Sequence, residues 1–123
     1  MRTYLTVVFA GVMGLGALSA SADEAKLKTV AALYQGKSAL AGQQVRVQGK
    51  VVKVNNGVMQ RNFLHVQDGT GDQSTNDLTV TSQQTAKVGD QVLVTGRVLL
   101  NKDFGAGYAY PLLLEEASVT VKK

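Results

Sequence analysis

The chain has no cysteine, no tryptophan and one proline in 123 residues. Without cysteine there is no disulfide scaffold, no cysteine zinc site, no thiol catalysis, no attached haem and no acylated lipoprotein terminus. Aromatics are few, three Phe and four Tyr, and there is a single histidine. Charge is also sparse: 13 Lys+Arg against 9 Asp+Glu give +4, well below a dense nucleic-acid stripe. At 18% charged and 45% hydrophobic, the composition fits a folded domain, and the length fits one such domain.

Residues 1–22 read as an address rather than as fold. Arg2 supplies a minimal positive start, an uncharged apolar run extends from Tyr4 to Leu18, and Ala20-x-Ala22 suits a signal peptidase. The run is shorter than the roughly 20 residues a membrane span needs. Cleavage after Ala22 would leave an exported domain of residues 23–123, with no membrane span and five aromatics: Tyr34, Phe63, Phe104, Tyr108 and Tyr110. An exported protein without disulfides is ordinary for a bacterial periplasm.

In the remainder, Lys26 to Gln35 reads as a short helix: Thr29 can cap it, Gly36 can end it, and Val30, Leu33 and Tyr34 share one face. Beyond it the period is two. The pattern A-x-x-G-x-Q-V-x-V-x-G-[KR]-V occurs at Ala39–Val51 and again at Ala86–Val98. Each copy reads as a long strand with a glycine that permits a sharp bend. Between the copies, Asn55-Asn56-Gly57 predicts a hairpin turn. Phe63–Gln67 and Asp77–Thr81 alternate as strands, and Asp68-Gly69-Thr70-Gly71 carries turn chemistry. Ser82 to Val88 has room for one helical turn at most, and Leu112 to Val121 reads as the last strand. One helix and five strands, two of them long and kinked, predict a mainly β domain closed into a small barrel.

These residues resemble a family. G-x-x-V-x-V-x-G-x-V at Gly42–Val51 followed by F-L-H-V-Q-D-G-T-G at Phe63–Gly71 looks like the opening of an anticodon-binding-type OB-fold. V-G-D-x-V-x-V-x-G at Val88–Gly96 looks like its fourth strand. The region after residue 22, with D-F-G-A-G-Y-A-Y-P at Asp103–Pro111 as its most distinctive part, is similar to small exported bacterial OB-fold proteins, nucleotide- or DNA-binding-like and NrfJ-like. The resemblance implies a five-stranded Greek-key barrel, here with its short helix at the N-terminus instead of between strands three and four.

Such folds bind oligonucleotides or oligosaccharides on the outer face of strands two and three, with two loops helping. With Leu64, Val66, Leu78 and Val80 inward, alternation turns Phe63, His65, Gln67, Thr79 and Thr81 outward. Arg46 and Lys50 share the outer face of the first strand. Lys53 and Arg61 flank the first hairpin, and Arg97 and Lys102 lead to the loop holding Phe104, Tyr108 and Tyr110. Cations interleaved with aromatics are what a single-strand binder uses. The expected ligand is therefore single-stranded nucleic acid or another oligomeric anion. The alternatives are an oligosaccharide, or a protein partner in periplasmic nitrite-reductase or cytochrome systems.

No catalytic constellation emerges, and neither metal nor cofactor is expected. Asp103-Phe104-Gly105 lacks the other kinase segments, and Gly105-Ala106-Gly107 lacks a dinucleotide site's third glycine. Asp68, Asp72 and Asp77 do not have EF-hand spacing. Glu115 and Glu116, adjacent in a strand, are expected on opposite faces.

Overall fold

The computed structural model describes residues 25–122; the expected leader, residues 1–22, lies outside them. Within the described residues no helix is long and apolar enough to cross a membrane. The elements in order are β1 (Lys26–Leu27), α1 (Val30–Gln35), α2 (Lys37–Leu40), β2 (Gln44–Val58), β3 (Arg61–Gln67), β4 (Leu78–Ser82), β5 (Gln91–Asp103) and β6 (Ala109–Val121). They form one mixed sheet ordered β1-β2-β3-β4-β6-β5, and a further β2–β5 pairing brings the order back on itself.

Two expectations need correction here. Among the described residues there are six strands, not five, and the helix begins at Val30, not Lys26. Lys26 and Leu27 are extended and pair in parallel with Val45 and Arg46. The Arg46 guanidinium donates to the Ala25 carbonyl at 2.9 Å and the Lys28 amide to the Arg46 carbonyl at 2.8 Å, so the segment's backbone is satisfied by β2 rather than by a helical turn. No helix forms between Ser82 and Val88. Val30 and Leu33 of α1 instead join the core.

The two repeat copies pair with each other. Antiparallel β2 and β5 place Val47 opposite Val94, Val45 opposite Gly96 and Gly49 opposite Val92. All four valines are buried. Each glycine sits where a third strand closes in. A Cβ on Gly49 would lie 2.6 Å from a Val66 methyl of β3, and one on Gly96 would lie 3.0 Å from the Ala117 Cβ of β6. Thus β2 can leave β5 at Lys50 and continue with β3, while β5 runs on beside β6.

The first hairpin turns later than Asn55-Asn56-Gly57 predicts. Val58 pairs with Arg61, so Met59 and Gln60 form a two-residue loop, both with positive φ (51° and 66°). Asn56 and Gly57 fall in the irregularity between Asn55 and Val58. Long-range partners hold that arrangement. Asn62 accepts from the Gly57 amide at 2.9 Å, Thr85 donates to the Asn56 side chain at 2.7 Å, and Gln83 donates to the Gln60 carbonyl at 2.9 Å.

The loop after β3 tethers α1. Asp68 accepts from the Val30 amide at 2.9 Å, and Thr70 accepts from the Ala31 amide at 3.0 Å while donating to Asp68. Thr29 accepts from Ala32, as its predicted capping role requires.

Candidate ligand-binding site

The outer face of β3 meets the tip of the β5–β6 hairpin. Gly105, Ala106 and Gly107 all have positive φ, and the Phe104 amide donates to the Tyr108 carbonyl at 2.8 Å, so the chain reverses tightly between the two strands. That reversal gathers Phe104, Tyr108 and Tyr110 around Phe63, with ring centroids 5.3, 5.2 and 6.0 Å from it. Phe104 meets Phe63 edge to face, a preferred aromatic geometry. The Arg61 guanidinium lies 4.9 Å from the Phe104 centroid and the Lys102 ammonium 5.3 Å, both within cation–π range.

His65, two residues along β3, lies 6.3 Å from the Tyr110 ring centroid and pairs across the strands with Lys53 and Thr79. Its Nδ1 is 2.7 Å from Asp77 Oδ2, while the Asp77 carbonyl accepts from the Tyr34 hydroxyl at 2.7 Å. The other Asp77 carboxylate oxygen, Oδ1, is buried with no hydrogen-bond partner among the described residues. Burial, then the charges of Tyr108 and Asp77, pushes the Tyr110 phenol above its ordinary value. Burial and Asp77 do the same to Tyr34. Both phenols therefore keep their protons at neutral pH and remain donors.

Eight of the residues singled out in the sequence converge on this ledge: Lys53, Arg61, Phe63, His65, Lys102, Phe104, Tyr108 and Tyr110. Three were expected to offer open surface and do not. Phe63 is fully buried because three rings cover it, and Thr79 and Thr81 are buried because β4 lies between β3 and β6 with every residue enclosed. Gln67 and Lys50 face each other farther along β2 and β3. Arg46 is committed to Ala25, and Arg97 stands exposed opposite Gln44 and Glu115, outside the ledge.

The expected separation of Glu115 and Glu116 is also corrected. Glu116 has φ +50° in a bulge between the Thr95 and Arg97 pairings, and both carboxylate residues line one cleft of about 490 Å³ with Arg61 and Ser82. A bulge of this kind re-aims side chains that alternation would separate. The three aspartates without EF-hand spacing have separate partners: Asp68 on α1, Asp72 on Ser74 and Thr75, and Asp77 on His65. Alternation had no means of finding Asp77, twelve residues from His65, or the bulge at Glu116.

No family model matches the chain, and no curated protein matches it. Among solved structures the chain is similar to an OBody bound to hen egg-white lysozyme, at 14% identity and TM-score 0.56, covering 76% of this chain and 90% of the OBody. It is also similar to a protein described as an aspartyl-tRNA synthetase from Leishmania major, at 11% identity and TM-score 0.59; 80% of this chain is covered, but only 21% of the synthetase. A second OBody bound to the same lysozyme aligns at 14% identity, TM-score 0.51, over 68% of this chain and 84% of its own. The chain has an OB-like fold. At these identities the likeness is one of architecture.

Proposed function

We propose that this is a non-catalytic, exported binding module, a Greek-key OB barrel whose ledge takes single-stranded nucleic acid or another oligomeric anion. The observation that carries the reading is the aromatic cluster on the outer face of β3 with Arg61 and Lys102 on the Phe104 ring. Cations fixed at the margin of half-buried tyrosines supply both halves of single-strand recognition, backbone neutralisation and stacking. The ledge lies where OB folds bind oligomers, on the sheet face beside the last hairpin loop. Export follows from the leader pattern of residues 1–22.

Three cations, Lys53, Arg61 and Lys102, border the ledge. At a slope near −0.7 per neutralised phosphate, log affinity should fall by about 2 per decade of salt, or roughly 20-fold between about 50 and 200 mM. Fluorescence anisotropy with labelled oligo-dT would measure this. Arg61→Ala and Lys102→Ala should each flatten the slope by about 0.7. No binding at low salt, or an unchanged slope in both variants, would refute the reading.

A second reading is favoured by the tyrosines. Tyr108 and Tyr110 beside Phe104 are anchor types for a protein interface, and both OBodies above are bound to a protein. The partner class implied by the NrfJ-like resemblance is a periplasmic respiratory or cytochrome-maturation protein. Co-purification lost on both Tyr108→Ala and Tyr110→Ala would favour this reading over the first.

A further inference from the structure

Asn55-Asn56-Gly57 predicts a turn, yet the reversal falls at Met59-Gln60, so the Asn-Gly pair is left without that role. Of the five asparagines in the chain only Asn56 precedes a glycine. Both residues of the pair are exposed. A Cβ built on Gly57 would meet nothing within 4 Å, so the space beside its nitrogen is open. An asparagine in this position is poised for an intramolecular reaction, because the next residue has no side chain to block attack on its carboxamide carbon.

Two hydrogen bonds oppose that reaction. The Gly57 amide donates to Asn62 Oδ1 at 2.9 Å, and Asn56 Oδ1 accepts from the Thr85 hydroxyl at 2.7 Å. The first engages the nitrogen that would attack, and the second fixes the group that would be attacked. The pairs Asn55–Phe63 and Val58–Arg61 pin the segment on either side. The closed hairpin therefore keeps the Asn56 side chain from swinging onto the Gly57 nitrogen. Asn62 also donates to the Gln84 carbonyl at 3.2 Å, so the same residue ties the guard to the loop after β4.

We infer that Asn56 is a latent modification site, whose deamidation is gated by opening of the β2–β3 hairpin. In the open hairpin the Gly57 amide gives its proton to water and its nitrogen bonds to Asn56 Cγ. The Cγ–Nδ2 bond breaks, and ammonia leaves with a proton from solvent as a five-membered succinimide closes. Water then opens either ring carbonyl to leave aspartate or isoaspartate. The balance is water gained and ammonia lost, with no oxidant or reductant. The new carboxylate is ionised at neutral pH. It falls on the hairpin that carries Lys53 and Arg61 and lowers the formal charge of +4 by one. Isoaspartate also lengthens the backbone by one carbon where β2 is already irregular.

Peptide mapping by mass spectrometry tests this on the folded chain incubated near neutral pH, with the same chain unfolded in urea as reference. The product is heavier by about one dalton and should map to Asn56. It should form at least about tenfold more slowly in the folded chain than in the unfolded one. Thr85→Val keeps the side-chain shape and removes the donor, and Asn62→Ala frees the Gly57 amide. Each should speed the reaction about three- to tenfold while circular dichroism still reports a folded chain. If Asn62→Ala unfolds, Thr85→Val alone decides. No product in the unfolded chain, or product at Asn55, Asn76 or Asn101 in place of Asn56, would overturn the site. A folded parent as fast as the unfolded chain, or an unchanged rate in the folded variants, would overturn the gate.

Discussion

Replacing Asp68 should expose how much of the fold hangs on one loop carboxylate. Its Oδ2 accepts from the Val30 amide at 2.9 Å, and its Oδ1 accepts from the Thr70 amide at 3.0 Å and from the Thr70 hydroxyl, which in turn accepts from Ala31 at 3.0 Å. Asp68→Ala leaves the Val30 amide of a fully buried residue without its partner and frees Thr70 from its place. A lost helix cap costs about 0.5–2 kcal/mol, and a hydrogen bond to a charged group is worth about 1.5–3 kcal/mol. Because the carboxylate is partly exposed, the two effects together should come to about 2–3 kcal/mol, read as a melting temperature lower by roughly 10 °C. Asp68→Asn keeps an acceptor and should lose about 1 kcal/mol. Burial alone would raise the Asp68 carboxyl, but hydrogen bonds from Thr70 and from the Val30 and Thr70 amides outweigh it and hold it below its ordinary value. Its contribution is therefore complete above the unfolded carboxyl range, near pH 4, and is lost as pH falls through the lower folded value. Urea denaturation at several pH values should show a gap between the parent and Asp68→Asn that is flat from neutral pH to about pH 5 and closes below about pH 4. A gap that widened on acidification, or an Asp68→Ala as stable as the parent, would refute the capping account.

Two further changes probe the backbone. Gly49→Ala puts a Cβ 2.6 Å from Val66 and 2.8 Å from the Gln67 carbonyl, and should cost about 1–3 kcal/mol by urea midpoint; an unchanged midpoint would mean the two strands are free to part there. Met59→Asn combined with Gln60→Gly gives the left-handed loop residues that tolerate it, and should raise stability by about 1–2 kcal/mol. A loss would show that the two side chains hold the hairpin tip in some other way.

Alternation alone located the inward residues, since Val45, Val47, Val51, Leu64, Val66, Leu78 and Val80 are all buried in one core. It succeeded because those positions depend on pleat and burial, which are local in period. Thr29 and Gly36 were legible for the same reason: a cap acts within one turn. The failures have nonlocal causes. Asn56-Gly57 is the stronger local turn signal, yet Asn62, Gln83 and Thr85 bind the neighbouring backbone and side chain and shift the reversal to Met59-Gln60. Phe63 was assigned correctly to the outer face, but period says nothing of what covers that face. The covering rings lie at least 41 positions further along the chain. Lys26-Leu27 is too short to display a period, and only its pairing with β2 makes it a strand.

The hairpin that covers Phe63 is also part of the ring of pairings, since β6 bonds to β5 along most of its length and to β4 at Leu113 and Leu114. The proposed ligand surface and the sheet's pairings are therefore parts of one element, in a chain without a disulfide to hold them separately. A ligand gripping Tyr108 and Tyr110 should stabilise the folded state by mass action, and damage to Phe63 should weaken fold and affinity together. Arg61 and Lys102 are different. They reach the ledge from the ends of β3 and β5 and touch the Phe104 ring from outside, so truncating them removes charge while leaving the buried Phe63 contacts in place. Loss of salt-dependent binding in Arg61→Ala and Lys102→Ala at unchanged melting temperature would thus separate recognition from folding, which no substitution at Phe63 can do.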